Sequence, residues 1–161
     1  MEEQVLKIFV FDDSPANRRS AEITLAGHDL TIVGTYDEAQ DALVACADYD
    51  VVLTDLMVPA SAREQGSTGR ALVGQEMPIG TTIALLAVML GVKNVCVFSN
   101  MNHHHHPAVA ALDVFWEITA QRTTAKKVVN IQCYSGDEGM VDTDLGKGKN
   151  WASVLRHLMT W

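Results

Sequence analysis

The stretch VLKIFVFDDSPANRR, residues 5–19, decides how the chain is read. Val5 to Phe11 is a short apolar run rich in β-formers, and it stops at the acidic pair Asp12-Asp13. Pro15 fits the first turn of a helix, predicted to run to about Ala26 with Gly27 as its C′ residue. The strand-then-helix unit recurs. Leu30 to Val33 reads as a second strand, and Thr35 with Glu38 stands at capping-box spacing before a helix to about Ala47. Val51 to Thr54 is a third, wholly apolar strand ending at Asp55. The segment from about 60 to 80 has little periodicity and many loop formers, so it is predicted to be a long loop with at most a short helical turn.

Thr82 can cap a helix that places Ile83, Leu86, Ala87 and Leu90 on one face and ends at Gly91. Asn94 to Phe98 is a fourth strand, followed by Ser99. Pro107 opens a helix with Ala110, Ala111, Val114, Phe115 and Ile118 on one face, and Lys127 to Ile131 is a fifth strand. The glycine-rich acidic segment of about 133–150 is predicted to be a loop. A last helix from Trp151 carries Val154, Leu155 and Leu158. Five apolar strands alternating with helices predict an α/β fold, a doubly wound five-stranded parallel sheet covered on both faces. Such sheets bind ligands at the carboxyl ends of their strands.

The 161 residues suit one domain, 1–161, and 48% apolar with 20% charged residues is a globular composition. A net charge of -8 argues against direct nucleic-acid binding. The longest apolar run, Ile83 to Val92, is too short to span a bilayer, and the N-terminus lacks a signal pattern. Cys46, Cys96 and Cys133 have no C-x-x-C spacing and read as buried thiols of a reducing compartment, so a cytoplasmic protein is expected.

Asp12, Asp13, Asp55 and Ser99 all stand at strand ends. Three converging carboxylates repel one another unless a cation sits among them, and hard oxygen ligands favour Mg²⁺ or Mn²⁺. Beside a hydroxyl, such a site suits an incoming phosphoryl group, with one carboxylate as nucleophile.

The segments VFDDSPANRR and VVLTDLMVP resemble the first and third strand motifs of response-regulator receiver domains, and the match runs from about residue 5 to 100. The resemblance implies a flavodoxin-like receiver fold and Mg²⁺ bound by Asp12, Asp13, Asp55 and the backbone carbonyl of Met57. It implies phosphoryl transfer to Asp55, with Ser99 hydrogen-bonding the phosphoryl oxygens. Receivers also carry a lysine directly after strand 5. Here NIQCYSG stands in that place, and Lys147 and Lys149 in the following loop are the candidates to reach the site, with Lys149 slightly preferred. Weighed by itself, Lys149 reads rather as a solvated loop lysine.

The implied function is a stand-alone response regulator, the chain ending soon after its last helix. It would take its phosphoryl group from a sensor histidine kinase or phosphotransfer protein and signal to a downstream protein target. Its enzymology would be self-catalysed phosphoryl transfer and autodephosphorylation at most. One alternative is a degenerate receiver acting as a phosphorylation-independent binding module. Another is a phosphoaspartate hydrolase of the haloacid-dehalogenase type, which CVFSN suggests but whose D-x-D motif FDDSP lacks. The run His103 to His106 follows strand 4, so it is read as shaping or gating the site, binding a transition metal, or forming a solvated loop. Asp142 and Asp144 lack the rest of a calcium loop. Trp116, Trp151 and Trp161 read as core or docking aromatics.

Overall fold

The computed structural model describes residues 4–46, 48–100, 106–110, 127–132 and 139–159. Strand β1 (Lys7–Phe11) alternates its side chains strictly, and both sets are buried. Phe9 and Phe11 face one hydrophobic layer, Ile8 and Val10 the other. A strand apolar on both faces must lie inside a covered sheet. It pairs in parallel with β2 (Asp29–Val33) and β3 (Val51–Thr54). Strands β6 (Asn94–Ser99) and β7 (Lys127–Gln132) extend the sheet, giving the order β2-β1-β3-β6-β7.

Helices cover both faces. Helix α1 (Pro15–Thr24) and α5 (Trp151–Met159) pack Ala21, Trp151, Val154, Leu155 and Leu158 against Ile8, Val10, Leu53 and Phe98. On the opposite face, α2 (Tyr36–Ala45) and α3 (Gly80–Met89) pack Ala39, Leu43, Ile83 and Ala87 against Phe9, Phe11 and Val52. The capping box at α2 is formed, with Thr35 accepting from the Glu38 N–H and Glu38 reaching back to the Thr35 N–H.

The expected fold, a doubly wound five-stranded sheet of the flavodoxin-like receiver type with plain loops, is corrected to an α/β fold with two added antiparallel ribbons. Among the described residues there are nine strands, four of which form the ribbons. Around the segment expected as a loop of about 60–80, β4 (Val58–Pro59), just before it, pairs with β5 (Glu76–Met77) within it, with a 3-10 turn at Gly69–Leu72 between them. In the segment expected as loop 133–150, β8 (Met140–Thr143) pairs with β9 (Gly146–Lys149). A glycine with φ +112, Gly146, closes the tight β8–β9 turn, and the Thr143 hydroxyl donates to its carbonyl. Neither ribbon carries the apolar alternation by which strands are recognised, because each pairs through backbone on a small, largely polar unit.

Helix α3 begins at Gly80 and not at a Thr82 cap. The Gly80 N–H bonds the Leu56 carbonyl, and an added Cβ would collide with the Asp55 carbonyl, so only glycine permits this approach. Strand β1 begins at Lys7, leaving Val5 exposed. Cys96 is buried as expected. Cys46 is half-buried and polar, donating to Asp48 and receiving from the Lys7 ammonium. The helix opened by Pro107 is described only over α4 (Pro107–Ala110). The rest of that predicted helix, Cys133, Trp116, Trp161 and His103 to His105 lie outside the described residues. None of the helices among the described residues is long and apolar enough to cross a membrane.

Candidate functional site

Adjacent strands deliver the acids. The Asp55 N–H bonds the Phe11 carbonyl, and the Asp12 N–H bonds the Val33 carbonyl, so the pairing of the sheet continues one residue beyond the strands. Asp12, Asp13 and Asp55 each offer an oxygen, and these atoms lie within 4.8 Å of one another. Asp12 is fully buried and Asp55 is 9% exposed.

Each Asp12 oxygen accepts two donors. Oδ1 takes the Ser14 N–H at 2.9 Å and the Asn17 Nδ2 at 3.0 Å. Oδ2 takes the same Asn17 Nδ2 at 3.0 Å and the Lys149 ammonium at 2.6 Å. The local cause is the start of α1: Ser14 is its N-cap, Pro15 fills the first turn, and Asn17 faces back toward Asp12.

Lys149 stands at the end of β9 and has no solvent exposure. Its Nζ lies 2.6 Å from Asp12 Oδ2, 2.7 Å from the Phe98 carbonyl and 3.0 Å from Asp55 Oδ1. The ammonium donates to Asp12 and to the Phe98 carbonyl and is ion-paired with Asp55. The rings of Phe98 and Trp151 flank the same nitrogen at 5.4 and 5.2 Å from their centroids. The reading of Lys149 as a solvated loop lysine is corrected: burial and pairing replace solvation. Lys147, two residues earlier on the ribbon, is exposed.

Electrostatics follow from this packing. Burial, together with the Asp12 charge, pushes the Asp55 carboxyl up to about 6 against the pull of Lys149. Burial and the Asp12 charge also raise Asp13. Burial alone would lower Lys149, but Asp12 and Asp55 outweigh it and hold the ammonium charged. On the β4–β5 ribbon, Glu76 is raised by partial burial and by the charges of Asp13 and Asp12. It is a fourth carboxylate at this edge that sequence reasoning missed, since its segment read as loop.

The remaining expected residues fall as follows. Met57 lies in the turn between β3 and β4, its side chain packed against the core. Ser99 is buried at the end of β6, and strand register sets it one residue past the level of Asp55. Of the histidine run, only His106 is described; its carbonyl accepts the Ala110 N–H of α4. Asp144 pairs with Arg19 of α1 at 2.7 Å, which ties the tip of the β8–β9 ribbon to that helix. Asn17 was also missed. In the sequence it is an ordinary polar residue of a helix, and its link to Lys149 exists only once β9 arrives beside α1.

The donor set fits a hard divalent cation, being all carboxylate oxygen. Asp12 has all four acceptor positions filled by protein donors, so Asp13 and Asp55 hold the open coordination capacity.

No protein-family model matches the sequence, and no curated protein does. Among solved structures, the chain is similar to one in the crystal structure of the P1 domain of CheA3 in complex with CheY6 from R. sphaeroides. The TM-score is 0.54 at 18% identity, over 99% of this chain and 100% of that one. At that identity the likeness speaks to the fold alone. It does not establish the flavodoxin-like receiver type expected from the strand motifs.

Proposed function

We propose that this chain is a two-component signalling protein that accepts a phosphoryl group on Asp55 with Mg²⁺ and passes the signal on by binding another protein. The observation that carries this reading is the contact of a buried lysine with Asp55 and Asp12 at adjoining strand ends, beside the more open Asp13. The proposed donor is a phosphohistidine of a sensor kinase or phosphotransfer protein. The structural likeness to a chain from a CheA3 P1–CheY6 complex agrees with a partner of that kind.

In the reaction, a carboxylate oxygen of Asp55 attacks phosphorus and the bond from phosphorus to the donor nitrogen breaks, leaving an acyl phosphate. On the Asp55 carboxylate, the Leu56 N–H at 2.7 Å and the Lys149 ammonium at 3.0 Å both meet Oδ1, which leaves Oδ2 as the attacking atom. Attack requires the ionised carboxylate, which a cation held beside it would favour. Lys149 then donates to a phosphoryl oxygen, and Ser99 is proposed to do the same. Asp13 and Asp55, with the Met57 carbonyl as a further ligand, would hold Mg²⁺, which when bound would neutralise the incoming phosphoryl charge.

A second reading has an observation of its own. The saturated Asp12 and the ammonium of Lys149 partly neutralise the acids without any metal, as a phosphorylation-independent binding module would require. Incubation with acetyl phosphate and Mg²⁺, followed by mass spectrometry of wild type and Asp55→Asn, separates the two. Labelling of wild type alone supports the first reading. No labelling, or equal labelling of both, overturns it.

A further inference from the structure

We infer that Asn17 is a positioning residue for Lys149: it registers the β8–β9 ribbon against the acid pair and so sets where the ammonium sits. The inference rests on the phosphoacceptor reading above and deepens it.

Asn17 is 5% exposed, and its carboxamide is committed at both ends. Its Nδ2 reaches both oxygens of Asp12, each at 3.0 Å. Its Oδ1 accepts the Lys149 backbone N–H at 3.0 Å. The network fixes the orientation of the amide, since a carboxylate only accepts and a backbone N–H only donates. One side chain therefore measures the distance between the carboxylate that receives the ammonium and the backbone that carries it.

The Asn17 carbonyl is tied into the same contact. It accepts the Trp151 indole N–H at 2.9 Å and the Ser20 hydroxyl at 2.8 Å. Ser20 Oγ also lies 2.8 Å from the Lys149 carbonyl, so both backbone polar groups of Lys149 meet the α1 turn that starts at Asn17. Gly148 lets the ribbon come this close: an added Cβ would lie 2.5 Å from the Ala16 carbonyl oxygen and 2.6 Å from Ser20.

A lysine in the pairing of a sheet is placed by its neighbours in that sheet. Lys149 stands on a two-stranded ribbon outside the main sheet, and such ribbons are marginal alone. Its placement comes from α1. Among the described contacts, Asn17 is the group that joins the Lys149 backbone directly to a carboxylate its ammonium meets.

The test is a double-mutant cycle between Asn17→Ala and Lys149→Ala, read as the rate of Asp55 labelling by acetyl phosphate with Mg²⁺. In the wild-type background, Asn17→Ala should slow labelling by at least about tenfold, as a misplaced group does. In the Lys149→Ala background it should change the rate by less than about twofold. Equal slowing in both backgrounds, or no slowing in either, overturns the inference. If Asn17→Ala does not fold, Asn17→Ser takes its place; it keeps a hydroxyl near Asp12 and is too short to hold the Lys149 N–H.

A second readout does not depend on phosphorylation. The buried ammonium should give a slowly exchanging Nζ signal in nitrogen-detected NMR, which Asn17→Ala and Asn17→Ser should broaden or abolish. A wild type that shows this signal and its loss in the variants, but takes no phosphoryl group, would sink the phosphoacceptor reading and leave the positioning role standing. An unchanged signal in folded variants overturns the positioning role.

Discussion

Asp55 should weaken the metal-free fold at neutral pH, and removing its charge should strengthen it. Its carboxyl is buried and its folded-state pKa is about 6, against an ordinary value of 3.8. A carboxyl whose folded pKa lies above its unfolded one binds its proton more tightly in the folded protein. Its contribution to stability is therefore full below about pH 3.8 and is lost as pH rises through about 6. At 1.36 kcal/mol per pKa unit, the loss amounts to about 3 kcal/mol above that window. Asp55→Asn is nearly isosteric and stays neutral, so at pH 8 in EDTA it should exceed wild type by about 3 kcal/mol. For a chain of this size that is about 6–12 °C in Tm. The gap should close as both proteins are melted at successively lower pH, vanishing near pH 4. Urea denaturation at pH 8 and pH 4.5 supplies the free energies. An Asp55→Asn protein no more stable than wild type at pH 8, or a gap that does not narrow with acid, would refute the reasoning.

Other outcomes follow from the same geometry. Mg²⁺ at ten times its Kd should raise wild-type stability by about 1.4 kcal/mol, and Asp13→Ala should abolish that response; an equal Tm rise in both proteins would remove Asp13 from the metal. Gly80→Ala should lower the urea midpoint and weaken Asp55 labelling together, because the new methyl meets the Asp55 carbonyl; a normal labelling rate would show that the carbonyl yields without moving the carboxylate. Thr35→Ala, which removes the hydroxyl that accepts the Glu38 N–H, should cost about 1 kcal/mol by urea denaturation and leave labelling untouched. Glu38 is held below its usual carboxylate range by the Gly34 N–H and by Thr35, so the capping contribution should be present above the ordinary value of 4.5 and fade as pH falls below it.

What the sequence determined by itself was local. Apolar runs at Val51–Thr54 and Asn94–Phe98, the Thr35–Glu38 cap and the proline at residue 15 are short-range signals, and each element stands within a residue or two of its expected place. The acids were legible for the same reason: Asp12, Asp13 and Asp55 directly follow apolar strands, and parallel strands carry their carboxyl ends to one edge. The ribbons were not legible, because sequences such as Gly146-Lys147-Gly148-Lys149 have no apolar period to announce a strand. Nor was Glu76, whose proximity to Asp13 depends on a ribbon folded from the segment read as loop. Lys149 shows the division most clearly. In the chain it looks like a solvated lysine 94 positions after Asp55, by the difference of their numbers. Only the approach of β9 to α1, which Gly148 permits and Asn17 and Ser20 fasten, brings its charge between two carboxylates. A buried charge needs partners from several elements at once, and the tertiary structure alone assembles them.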